Sequence, residues 1–249
     1  MAKQTGIIKL KGKIGDLSFY KSKDGHLARE KGGVEGDRIK NDPAYVRTRE
    51  NNAEFGSSAS TGKLLRDSFR PIANTASDKR IVARVMKLMT NIKNLDTTSV
   101  RGERTVGVAI VNAPAKALLK GFEFNKNALL GSILYKPWVI DTATGEVSIA
   151  GLIPVNDVTF PPGATHISLT ACFGNVHFAT GIADVQLTNV VNMPIDGNSN
   201  NITLTPLSVP NGTGLKMFLL KIEFFQMVNG VQYSLKNGAY NALRIIEVE

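Results

Sequence analysis

A chain of 249 residues, 43 % hydrophobic and 20 % charged, has the composition of a folded globular protein and can bury a core without disulfide or metal staples. Apolar runs such as Met217 to Leu220 stay far below the roughly 18 residues of a membrane span, and the single Cys172 excludes an internal disulfide. The formal net charge of +9 is unevenly placed: residues 1–104 hold 22 Lys and Arg against 12 Asp and Glu, residues 105–249 hold 8 against 9, and no Lys or Arg occurs between Pro137 and Leu215.

The opening segment reads as strands. Ile8 and Leu10 alternate with Lys9, Lys11 and Lys13, and the run Leu17 to Ser22 meets His26 to Lys31 across Lys23-Asp24-Gly25, where Asp-Gly is a strong hairpin signal. Too few apolar residues are present to bury a core, so an extended arm or small hairpin is expected, closed by Gly32-Gly33. Lysines on one side of such a strand also protect an exposed edge from pairing at random.

Helices follow. Asn41-Asp42-Pro43 is a start signal, and Leu64, Leu65, Phe69 and Ile72 form an apolar stripe, predicting one or two helices from Pro43 to Ile72 with a break near Gly56. Ile81, Val85, Leu88, Ile92 and Leu95 recur at helical spacing after a cap at Ser77, while Lys79, Arg80, Arg84, Lys87 and Lys93 make the other face basic. Asn112-Ala-Pro-Ala starts a short helix through Lys120.

Beyond it, short apolar runs alternate with Gly, Pro, Asn and Thr clusters. Strands are predicted at Ser132 to Ile140, Glu146 to Ala150, His166 to Phe173, Val185 to Val191, Ile202 to Leu207, Leu215 to Gln226, Val231 to Leu235 and Leu243 to Val248. Asn229-Gly230 and Asn237-Gly238 are hairpin turn signals. The fold class is α+β: a basic β-hairpin arm over residues 1–40, a helical region over 41–121 and an antiparallel β-sandwich over 122–249 that could stand alone.

No catalytic motif survives inspection. The run from Gly56 to Gly62-Lys63 has five residues between the glycines where a phosphate-binding loop has four, and Leu64 stands where Ser or Thr should hold magnesium. His166 and Cys172 fall on one strand face without the four ligands zinc requires, and His177 adds no tight pair. Asp157, Asp184 and Asp196 read as loop punctuation. No enzyme activity, cofactor, metal or small-molecule substrate is inferred.

The residues Gly12 to Lys21, Leu27 to Val34 and Asn229 to Leu243 resemble those of a family of Bacteroidota proteins with a basic N-terminal hairpin and a β-rich C-terminal part. That resemblance implies a source and brings no activity and no site residues.

An arm that cannot bury itself can add strands to a neighbour, and head-to-tail repetition yields filaments, tubes or shells. The main expectation is therefore a self-assembling structural protein, cellular or phage-like, whose partner is itself, with Ile8, Leu10, Ile14, Leu17, Phe19 and Tyr20 as the assembly arm. The alternative partner is nucleic acid, met by Lys9, Lys11, Lys13, Lys21, Lys23, Arg80, Arg84 and Lys87. The start MAKQTGIIKLKG lacks the apolar core of a secretory signal, so synthesis in the cytoplasm is expected, with release only as part of a particle or filament.

Overall fold

The computed structural model describes residues 2–22, 24–30 and 32–249, with the backbone alone at Lys236 and Asn237. It divides into two units, Met1–Arg49 and Glu50–Glu249. In the first, β1 (Ala2–Lys3), β2 (Gly12–Ile14), β3 (Leu17–Ser22) and β4 (Gly25–Glu30) form an antiparallel sheet in the order β1-β4-β3-β2. The hairpin is thus half of a four-stranded sheet, and Ser22 pairs with Gly25 across the predicted turn. The strand expected from Ile8 to Lys11 does not form. Gln4 takes the place of a neighbouring strand, donating from Nε2 to the Leu10 carbonyl at 3.2 Å and accepting the Leu10 N–H at 2.8 Å, so this segment runs as a loop.

A short helix, α1 (Gly36–Asn41), leads to a 3-10 turn at Pro43–Tyr45, where Asp42 accepts the Ala44 N–H at 2.9 Å as the Asn-Asp-Pro signal implied. Then α2 (Val46–Ser68) begins, and the boundary between the units falls in its first turns. Contrary to the expected break at Gly56, α2 runs unbroken through both Gly56 and Gly62. A single glycine costs a helix only about 1 kcal/mol relative to alanine, which the packing of Leu65 offsets.

The second unit continues with α3 (Arg70–Ala73), α4 (Ile81–Lys93), α5 (Val106–Ala109), α6 (Ala113–Leu119) and α7 (Leu130–Ile133). Ser77 does not cap α4. Arg80 occupies the cap position without a side-chain bond, and Asp78 accepts the Arg80 N–H at 2.7 Å instead. The strand predicted from Ser132 shrinks to β5 (Val139–Ile140), because α7 takes its start and Pro137 interrupts the middle.

The remaining elements are β6 (Val147–Leu152), α8 (Pro154–Asp157), β7 (His166–His177), β8 (Ile182–Leu187), β9 (Val191–Pro194), β10 (Asn200–Leu204), β11 (Leu215–Val228), β12 (Val231–Ser234) and β13 (Ala242–Val248). β7 and β11 pair antiparallel from Leu215 with Val176 to Phe225 with His166. Each has its outer edge shared by two short strands: β8 and β9 on β7, β12 and β13 on β11. Thus the single strand expected from Val185 to Val191 is two, because the chain leaves the ladder at Thr188 to bridge Pro206. Asn229-Gly230 forms the β11–β12 hairpin turn with φ of 50° and 79°. Asn237-Gly238 does not turn a hairpin; it lies in a 3-10 turn, Leu235–Gly238, and β12 and β13 both pair with β11.

The central strands are buried on both faces. On one, Ile167, Leu169, Ala171 and Phe173 with Phe218, Leu220, Ile222 and Phe224 meet Val147, Ile149, Ile202 and Leu204 from the smaller sheet β10-β6-β5. Phe173 and Phe218 stack with centroids 4.5 Å apart. On the other, Cys172, Val176, Met217 and Leu219 meet Leu65, Phe69, Val85, Met89 and Ile92. The sandwich is therefore two layers of three, and the helical segment from Glu50 onward is the third layer rather than a separate connector. Gly174 fits this arrangement, since a Cβ there would lie 2.7 Å from the Phe69 ring.

A buried ion cluster ties the helix layer to its own loop. Glu54 on α2 pairs with Lys93 on α4 and with Arg104 at 2.8 Å, and accepts the Gly102 N–H at 2.8 Å. The Arg104 guanidinium, against the cost of burial and helped by Lys93, holds the Glu54 carboxyl down from 4.5 to about 2. Its stabilisation is present above pH 4.5 and is lost as pH falls through 2. Glu54→Gln leaves Lys93 buried without a counter-charge and is expected to lower the unfolding free energy by about 3–5 kcal/mol at pH 7, with the difference from wild type shrinking toward pH 2 in urea titrations.

Candidate functional site

The first unit sorts its side chains by strand register. Directly paired residues share a face, so Ile14, Leu17, Phe19, Ala28 and Ala2 lie on one side and Lys3, Lys13, Arg29, Ser18, Tyr20 and Leu27 on the other. None of its described residues is buried. Ile14 is 60 % exposed and Leu17 44 %, and Lys21, His26 and Glu30 share this face with them. Ile8, 81 % exposed, and Leu10 project from the loop beside it rather than from a strand. Tyr20 lies on the opposite, basic face, with the Arg29 guanidinium 5.5 Å from its ring centroid. The six arm residues named from sequence are therefore split between two faces and a loop.

The basic residues are scattered too. Lys13 is on the basic face and Lys21 on the apolar one; Lys9 donates to the Gln4 carbonyl, Lys11 is exposed in the loop, and Lys23 lies outside the described residues. Arg80, at the cap of α4, and Lys87 on that helix are exposed. Arg84 is not anion-facing. It donates to the Glu123 carbonyl at 2.6 Å, the Phe124 carbonyl at 2.7 Å and Asp78 at 2.5 Å, so its charge is spent inside the fold.

Those Arg84 bonds belong to a polar junction that the sequence does not announce. Asp78 also accepts the Lys126 N–H at 3.0 Å, and its own N–H reaches the Phe124 carbonyl at 3.2 Å. Burial works against the Asp78 charge, but the Lys126 and Arg80 N–H donors and the Arg84 guanidinium outweigh it and hold the carboxyl below its ordinary range. Asn125 donates to the carbonyls of Ala239 and Asn241 at 3.2 and 2.9 Å, and Asn241 donates to the Thr75 carbonyl at 2.9 Å. Gly238, at φ 77°, is required here because a Cβ would sit 2.2 Å from the Thr75 oxygen. Three segments far apart in sequence, at 75–80, 123–127 and 238–241, are thereby locked together.

The remaining chemical motifs are accounted for by position. Gly56 to Lys63 lies within α2, whose N–H groups are engaged along the helix. Cys172 is buried among apolar side chains, and that burial pushes its thiol well above the ordinary range. His166 and His177 stand at opposite ends of β7, eleven positions and about 36 Å apart along an extended strand. His166 Nδ1 meets the Thr165 hydroxyl at 2.9 Å and His177 Nδ1 accepts the Thr180 N–H at 3.1 Å. Asp157, Asp184 and Asp196 accept loop N–H groups from Ile153, Asn211 and Asn198. Among the described residues no group of His, Cys, Asp and Glu could hold a metal ion, and no helix is long and apolar enough to cross a membrane.

At the β8 edge, Leu207 donates its N–H to the Leu187 carbonyl at 3.3 Å and Asn211 to Asp184 at 2.8 Å, so residues 207–211 run beside that strand. Leu207 is 85 % exposed, and Ile182, Val190 and Val209 are exposed as well. This apolar rim carries Asp184 and no cation.

No protein-family model, curated protein or solved structure matches the chain, so the likeness to a Bacteroidota family gains no support from them.

One carboxyl near the junction runs opposite to Asp78. Glu123 bridges the Leu130 N–H at 3.2 Å and Arg244 at 3.7 Å, yet burial dominates over these partners and raises it from 4.5 to about 7. The fold favours the protonated acid, so its contribution is full below pH 4.5 and is lost as pH rises through 7. Wild type is expected to lose about 1–2 kcal/mol across that window, after allowance for solvent screening, and Glu123→Gln to abolish the loss; equilibrium unfolding of both proteins at pH 5 and pH 8 reads it.

Proposed function

We propose that this chain is a self-assembling structural protein whose N-terminal sheet docks on another copy, building a filament, tube or shell. The observation that carries this reading is the small sheet itself: four strands, an apolar face of Ile14, Leu17 and Phe19, and no buried residue among those described. A sheet without a buried side chain lacks the apolar burial that is the main driving force of folding unless a partner covers one of its faces. Its edge strands β1 and β2 are two and three residues long, which limits edge pairing and leaves the face as the principal contact surface. The counterpart on the second copy is the cation-free stretch from Pro137 to Leu215, where the apolar rim beside β8 offers exposed Leu207 and Ile182. Charge brings the basic sheet and the acidic rim together, and apolar burial holds them. No catalytic step belongs to this reading, and a filament or shell of phage-like character is within it.

A second reading has its own observation: Lys3, Lys13, Arg29 and Tyr20 share the opposite face of the same sheet, a cationic surface with an aromatic ring of the kind that tracks a nucleic-acid backbone.

The two readings separate on salt. Light scattering of the intact protein at tens of micromolar is expected to show large oligomers that persist at several hundred millimolar salt. Leu17→Thr with Ile14→Thr should shift them toward monomers while changing unfolding free energy by only about 0.5 kcal/mol, because neither residue is buried and threonine suits a strand. A monomeric wild type rejects the assembly reading. Nucleic-acid affinity that falls with salt at a slope of about −0.9 per phosphate contact, and that Lys13→Ala with Arg29→Ala flattens, establishes the second.

A further inference from the structure

The polar junction of the second unit leaves a cleft of about 700 Å³ at its surface, lined by Lys79, Arg80 and Lys126 together with Asp78, Asn125 and Ala239. The three cations are exposed, and their side chains make no ion pair or hydrogen bond among the described residues. Asp78 does not neutralise them, since its carboxylate is satisfied by Arg84 and by the Arg80 and Lys126 N–H groups. The wall is therefore net positive and its floor is preformed by the Asn125 and Asn241 bonds described above. A second cleft, of about 400 Å³, shares Lys126 and Asn127 with the first. Its lining is of another character: Leu129, Ile133, Phe160, Pro162, Phe224 and Tyr240, of which Phe160 and Leu129 are exposed to solvent.

Unpaired cations in one concavity and flat apolar surfaces in the next are the two halves of a site for an amphiphilic anion. We propose that the paired clefts bind a small polyanion carrying a flat ring, of the nucleoside phosphate class, with its phosphates on Lys79, Arg80 and Lys126 and its ring against Phe160 and Tyr240. Three cations match a multiply charged phosphate better than a single carboxylate, and proline and aromatic faces suit a planar base. The site lies wholly in the second unit, so it stands or falls separately from the assembly reading.

Isothermal titration of the full-length protein at 50 mM salt tests it with three probes: ATP, inorganic triphosphate and adenosine. ATP is expected to bind saturably, and triphosphate and adenosine each at least about tenfold more weakly, because each lacks one half of the ligand. Lys79→Ala with Arg80→Ala should weaken ATP by about 10- to 100-fold, the loss of charged contacts. Phe160→Ala should weaken ATP and leave triphosphate unchanged. Lys79 and Arg80 are exposed, so their replacement should keep the wild-type unfolding profile. The proposal is overturned by absence of ATP binding below about 1 mM, by equal affinities for ATP and triphosphate, or by indifference of ATP binding to the cation replacements.

Discussion

The antiparallel ladder between β7 and β11 is the contact on which the second unit depends. Both strands carry large apolar side chains in both directions, Phe173 and Phe218 one way and Cys172 and Met217 the other. Such strands cannot face water on either side. One cover is supplied by the small sheet of β5, β6 and β10, the other by α2, α4 and the shorter helices. Each cover is amphipathic only because the ladder gives its apolar side a destination. On α4 the same constraint commits Val85, Met89 and Ile92 to the sheet; of its cations Arg84 and Lys93 are engaged inside the fold and Lys87 is exposed.

Polarity is concentrated where the layers end. On the helix-facing side of β11 the apolar sequence gives way to Lys221 and Glu223, paired at 2.8 Å, and Thr75 donates to Glu223 at 2.5 Å. Asn125 and Asn241, both almost fully buried, continue this polar end into the loops. Buried amides are tolerated only when their donors and acceptors are matched, and here the amide N–H groups donate to the carbonyls of Asn241 and Thr75 while the Asn241 oxygen accepts the Phe224 N–H. The effect is to specify geometry: the loops at 75–80 and 238–241 cannot drift apart without stranding a buried amide. A preformed floor of this kind is what a binding cleft requires.

The first unit is the physical opposite. Its sheet is held by main-chain pairing and the Gln4 clamp on Leu10, without a buried side chain among the described residues. The two units thus differ in burial: one packs apolar side chains on both faces of its central ladder, and the other has no buried side chain among its described residues.

Much of this was legible in the chain. The helical spacing of Ile81 to Ile92, the Asp24-Gly25 and Asn229-Gly230 turns and the long apolar run of β11 each encode their element locally, because helix and hairpin preferences act over a few residues. The α+β class and the poverty of the N-terminal segment in apolar residues follow from the same local reading. What only the tertiary structure decided is which elements meet. Whether Val185 to Val191 is one strand or two depends on the bridge from Thr188 to Pro206. Whether the helices form a connector or a layer depends on the second apolar face of β7, whose covering helices come from far earlier in the chain, at Leu65 to Ile92. Arg84 looked like one more exposed cation on a basic helix, yet its partners are the carbonyls of Glu123 and Phe124, some forty positions away. Asn125 and Asn241 carry no local signal at all, since a lone asparagine has the same turn preference whether exposed or buried. Backbone propensity is set by neighbours in sequence, whereas the partner of a buried polar group is set by whatever the packed core brings within 3 Å of it.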